Sequence, residues 1–96
     1  MAKIISEYIG MIVSITKKDA SEYEPENWRM DYIGIPGTVT VLESENQAPG
    51  KRFVYFCDVT GAYIRTGAGD ILKNEKYILL TTNNSIYTFE IVDWKD

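Results

Sequence analysis

The chain has 96 residues, 45% of them hydrophobic and 25% charged, with a formal net charge of −4. These proportions are those of one small globular domain over residues 1–96. They exclude a disordered or collagen-like chain, and no apolar run approaches the ~20 residues a membrane-spanning helix needs. There is no histidine and a single cysteine, Cys57. That removes the commonest general base, the histidine triads, an intrachain disulfide and a cysteine-rich zinc site. The expectation is a non-enzymatic protein without catalytic residues, cofactor or metal.

In chain order, the first signal is alternation. Ile9, Met11, Val13 and Ile15 read as the apolar face of a strand over 8–16. Helical spacing over 3–12 competes with this, but β-branched residues and Gly10 favour the strand. The segment 19–32 is an acidic connection. Pro25 suggests a short helical turn over about 25–30, and Ser21 with Glu24 matches a capping box. A turn at Pro36-Gly37 opens a strand over 38–43, and Asn46 to Gly50 reads as a loop. The strand over 51–59 is apolar on both faces in its middle, which predicts a central place in the sheet. Thr60-Gly61 closes a hairpin with 63–66. A loop follows over 67–76, with one helical turn around 70–73. Strands over 77–82 and 86–92 are joined by a turn at Asn83-Asn84. The predicted fold is all-β: a small, strongly bent antiparallel barrel or sandwich of five to six strands, SH3-like in size, because closure removes exposed edges.

The most unusual stretch combines Glu22, Glu24, Glu26 and Asp31 with Tyr23, Trp28 and Tyr32. Aromatics give rigid contact area, and a patch of one sign steers a basic partner, so these seven residues are the predicted protein-binding surface. A sharper version is mimicry of nucleic-acid phosphates by spaced carboxylates. The plain alternative is a solvated loop whose Trp28 and Tyr32 plug one end of the barrel.

Gly67-Ala68-Gly69-Asp70 suggests a weak phosphate-cradling loop. It lacks a Gly-Lys-Ser/Thr ending, yet Arg65 precedes it and Lys73 follows, so Tyr63, Arg65, Gly67, Gly69 and Lys73 form an alternative site for a small anionic, nucleotide-like ligand. Cys57, in the most apolar strand, reads as a core residue. The strand aromatics Tyr55, Tyr63, Tyr77, Tyr87 and Phe89 would serve a single-strand-binding face, but the acidic charge favours plain packing.

Three functions remain. The foremost is a module that binds and inhibits a larger protein, a profile of size and composition shared with small phage-encoded inhibitors of bacterial defence enzymes. The second is an oligomeric binder of small anions, with homo-oligomerisation as part of its design. The third is a structural subunit of a larger assembly. Double-stranded nucleic acid and membranes are not expected partners, and the expected setting is the cytoplasm with Cys57 reduced.

Overall fold

The computed structural model describes residues 2–44 and 51–94; the predicted 46–50 loop lies outside them. Seven strands appear in the order β1 (Ala2–Lys17), β2 (Pro36–Ser44), β3 (Arg52–Asp58), β4 (Tyr63–Arg65), β5 (Asp70–Lys73), β6 (Tyr77–Thr81) and β7 (Ser85–Trp94). A 3-10 helix over Trp28–Tyr32 sits between β1 and β2. All seven strands join one antiparallel sheet in the order β4-β3-β2-β1-β7-β6-β5. No helix among the described residues is long and apolar enough to cross a membrane.

The all-β class and the antiparallel pairing agree with the sequence reading; the strand count and the closed form do not. The sheet has seven strands and is open. The seventh strand is β5, where a helical turn was expected. Backbone pairing decides it, because Asp70 to Lys73 lie opposite Thr81 to Ile78 on β6. The two edge strands, β4 and β5, belong to one stretch of chain. Its first part pairs with β3, and Gly69 still exchanges two main-chain hydrogen bonds with Arg52 (2.8 and 3.0 Å). From Asp70 onward it pairs with β6 instead. Gly69 makes this transfer possible by close approach: a Cβ there would stand 1.9 Å from the Thr81 carbonyl oxygen.

The central strand is β1, not β3, which is next to an edge. At 16 residues β1 is the longest strand, and it carries most of the sheet's irregularity. The register against β2 slips at Ile5, and the register against β7 slips at Val13 and again at Val92 of β7. Each bulge adds one residue and resets which side chains face inward. This overturns the predicted face of β1. Tyr8, Ile12 and Ile15 are buried, whereas Ile9 and Val13 are 41% and 37% exposed. The pattern of Ile9, Met11, Val13 and Ile15 is continuous in sequence, but the extra residue at Val13 breaks it in space. Gly10 lies where β7 crowds β1, since a Cβ there would stand 2.1 Å from the Glu90 carbonyl oxygen.

The inner face is one apolar cluster built around Ile12, Val54, Phe56, Ile78, Leu80 and Phe89, all fully buried. Burying apolar surface of this kind stabilises by roughly 25 cal/mol per Å² removed from water, which makes the cluster the main source of stability. The hairpin between β3 and β4 is held by buried Asp58. Its Oδ1 accepts hydrogen bonds from the Thr60 hydroxyl (2.5 Å), the Thr60 N–H (2.9 Å) and the Ala62 N–H (3.1 Å). Donation by the Thr60 hydroxyl, aided by these N–H groups, holds the Asp58 carboxyl below its ordinary value of 3.8 despite burial.

Candidate interaction site

The acidic connection between β1 and β2 is tied to the sheet at several points. Directly after β1 the chain turns back: Asp19 Oδ1 accepts from the Ser21 hydroxyl (2.5 Å) and N–H (3.0 Å), and Glu22 bridges to Thr16. These bonds, the hydroxyl's first, hold the Asp19 carboxyl below its ordinary value. Ser21 is therefore engaged with Asp19 and does not form the predicted capping box. The 3-10 helix starts three residues later than the predicted turn, and its N-cap is Asn27, whose Oδ1 accepts from the Arg29 N–H at 3.0 Å.

Two tyrosines anchor this segment. The Tyr23 hydroxyl lies 2.5 Å from the buried Ser85 hydroxyl and donates to the Asn84 carbonyl at 3.3 Å. The Tyr32 hydroxyl donates to the Tyr63 carbonyl at 2.9 Å. Both rings pack against the core together with Met30 and Ile33. Past the helix, the Gly34 N–H donates to the Ile12 carbonyl at 2.8 Å.

Trp28 stands between these anchors and is 51% exposed. It meets Tyr32 edge-on at 6.2 Å, and the Arg29 guanidinium lies 4.6 Å from its ring and 4.7 Å from that of Tyr23. The plain alternative has Trp28 and Tyr32 both plug one end of a barrel; Tyr32 packs against the core, whereas Trp28 is half-exposed. Glu22, Glu24, Glu26 and Asp31 are exposed, and none forms an ion pair with a described residue. The seven predicted partner-binding residues thus form one segment, with Tyr23 and Tyr32 turned to support and Trp28 and the carboxylates turned to solvent.

The alternative anion-site residues separate. Arg65 and Gly67 line a cavity of about 270 Å³ together with Trp28, Arg29, Asn83 and Asn84. Tyr63 stacks on Tyr55 on the outer face of the sheet at 5.5 Å. Lys73 lies at the far end of β5, 5.6 Å from the Tyr8 ring, and Gly69 serves the crossing from β3 to β6. Sequence reading did not single out Arg29, and it treated Asn83-Asn84 only as a turn. The signal for Arg29 was its place between Trp28 and Tyr32, where a guanidinium can stack on aromatic faces.

Other readings divide similarly. Cys57 is only partly buried and sits on the outer face, against the expectation of a core residue, because its neighbours Phe56 and Asp58 take the inward positions of β3. The strand aromatics make no single platform: Tyr87 and Phe89 are buried, whereas Tyr55, Tyr63 and Tyr77 are exposed. The described residues contain no cluster of three or more potential metal ligands. Comparison of the chain with protein-family models, with curated proteins and with solved structures finds no match.

Proposed function

We propose that this is a non-enzymatic interaction module that binds and inhibits a larger protein through the segment from Glu22 to Tyr32. The observation that carries the reading is Trp28: a large aromatic half-exposed on a segment fixed at both ends and flanked in sequence by exposed carboxylates without ion-pair partners among the described residues. Such a residue offers contact area already ordered before binding, so little conformational entropy remains to be lost. The carboxylates favour a partner with a basic surface, including one whose basic surface serves a nucleic acid. The scaffold is of SH3-like size, with both edge strands, β4 and β5, carried by the one stretch from Tyr63 to Lys73, and its setting is the cytoplasm.

The test is an affinity pull-down from lysate with four baits: the native chain, Trp28→Ala, Glu22→Lys/Glu24→Lys/Glu26→Lys, and Arg65→Ala/Lys73→Ala. The reading expects a captured protein that both loop variants lose, with Arg65→Ala/Lys73→Ala retaining it. Capture that survives both loop variants would refute it.

A second reading, binding of a small anion, is favoured by the 270 Å³ cavity, on which Arg29 and Arg65 both stand. Neither forms an ion pair with a described residue, and Arg29 Nε is buried without a hydrogen-bond partner. Titration with inorganic phosphate and with a nucleoside triphosphate, followed by amide NMR shifts, examines it. Binding is expected to vanish in Arg65→Ala, and binding that persists there removes the site from this cavity.

A further inference from the structure

Apart from the loop segment, the molecule shows a second surface that monomeric domains rarely leave bare. On the outer face of β1, β2, β3 and β4, Ile4 is 57% exposed, Ile9 41%, Tyr55 37% and Tyr63 60%. A shallow groove of about 530 Å³ crosses this face, lined by Ile4, Leu42, Phe53 and Tyr55, with Glu7 and Arg65 also at its walls. Contiguous apolar surface of this kind marks an interaction site.

The strand register shows what fits it. Glu7 lies opposite Thr40, Thr40 opposite Tyr55, and Tyr55 opposite Arg65, so these four side chains form one row across four strands. The row ends in an anion on one side and a cation on the other. At ~4.8 Å per strand the two charges are ~14 Å apart, too far to pair with each other. Neither pairs with another described residue: Glu7 accepts a hydrogen bond from the Thr40 hydroxyl at 3.1 Å, and the Arg65 guanidinium lies over the Phe53 ring at 4.6 Å. The next row reads Ile9, Thr38, Cys57, Tyr63 and is apolar at both ends.

We propose that this face is a self-association surface, on which a second copy of the chain sits about a two-fold axis running along the strands between β2 and β3. Such an axis reverses each row onto itself. Glu7 of each copy then meets Arg65 of the other, and Ile9 of each meets Tyr63 of the other. An axis across the strands would instead set Glu7 on Glu7 and Arg65 on Arg65. The charge row therefore selects one of the two face-to-face arrangements, as an isologous interface requires. This inference is independent of the loop-binding reading, since it uses the opposite charge logic and shares none of the loop's residues.

The experiment is sedimentation velocity at low salt over a range of protein concentrations, on the native chain, Glu7→Arg, Arg65→Glu and the double swap Glu7→Arg/Arg65→Glu. The native chain should dimerise. Each single swap should weaken the dimer at least about tenfold, and the double swap should recover most of that loss. Circular dichroism establishes that each variant is folded. Should a swap fail to fold, Glu7→Gln keeps the acceptor for Thr40 and Ile9→Asp leaves both charges in place; each should weaken the dimer as well. A native chain that stays monomeric at every concentration overturns the proposal. So does a dimer indifferent to these substitutions, or a double swap no better than its parents.

Discussion

The two faces of β1 to β4 are almost equally apolar in sequence, yet they do different things. The inner face buries Tyr8, Ile12, Val39, Val41, Val54 and Phe56, and the outer face leaves Ile4, Ile9, Tyr55 and Tyr63 open to solvent. Hydrophobic character alone does not separate them. What separates them is which side chains the strand registers turn inward, and the bulges at Ile5, Val13 and Val92 reset that choice along β1 and β7. The inner face becomes a core because Ile78, Leu80, Tyr87 and Phe89 of β6 and β7 join the same buried cluster. The outer face has no such cover among the described residues and is free to meet another molecule.

The sharpest way to break this contrast is to truncate one large side chain on each face. Phe89→Ala, at a fully buried position beside Phe56 and Tyr87, should cost about 3–5 kcal/mol through lost burial and the cavity left behind. Tyr55→Ala, on the outer face, should cost under about 1 kcal/mol in the monomer. Urea denaturation at a protein concentration below dimerisation measures both. Equal losses would mean that the outer face is covered in the folded monomer and would undo the distinction.

A smaller effect tests the bulges. In Gly10→Ala the new methyl group meets the Glu90 carbonyl oxygen, so β1 and β7 must part locally. The expected loss is about 1–3 kcal/mol, the range of overpacked sites. A neutral outcome would show that the slip between Ile9 and Gly10 is not rigid and that the inward set on β1 is not fixed by it.

Why part of this was legible beforehand follows from the kind of signal each feature leaves. Hairpins leave local ones: Thr60-Gly61 and Asn83-Asn84 fall in the turns between β3 and β4 and between β6 and β7. A bulge leaves almost none. Val13 is as apolar and β-branched as Ile12 and Ile15, and the slip depends on the partner strand and not on the residue itself. The same holds for β5, whose Asp70-Ile71-Leu72-Lys73 becomes a strand only because β6 is beside it. At the candidate site, the acidic-aromatic composition singled out the segment, and burial sorted its members. Tyr23 and Tyr32 became anchors through hydroxyl contacts more than thirty residues away in sequence, which no local pattern encodes.

The loop segment's rigidity, which separates it from an ordinary solvated connection, is tested by Tyr23→Phe. The ring remains, and only the hydroxyl contacts to Ser85 and Asn84 are lost. Ser85 is 1% exposed, so its own hydroxyl loses a partner in a site that water does not readily reach. The expected loss is about 1 kcal/mol in global stability, with faster amide exchange from Tyr23 to Trp28. Unchanged exchange there would show that the segment is held by other contacts, and Trp28 would owe its placement to Tyr32 alone.

The smallest effect at neutral pH, and the most specific, concerns Asp58. Its folded carboxyl titrates below the ordinary value of 3.8, so between the folded and unfolded values the unfolded chain binds more protons than the native one. The stabilisation from this group is therefore complete above the unfolded value and is lost as pH falls through the folded one. Asp58→Asn keeps an oxygen acceptor for Thr60 and Ala62 but carries no charge and no titration. The native chain should be slightly more stable than Asp58→Asn at neutral pH, and the gap should close as the solution is acidified below 3.8. Asp19, lowered in the same direction by Ser21, remains in both proteins and cancels from the difference. A gap that stays constant with pH would place the role of Asp58 in the geometry of the β3–β4 turn alone. A gap that widens on acidification would mean that its folded carboxyl is raised, against the donation from Thr60.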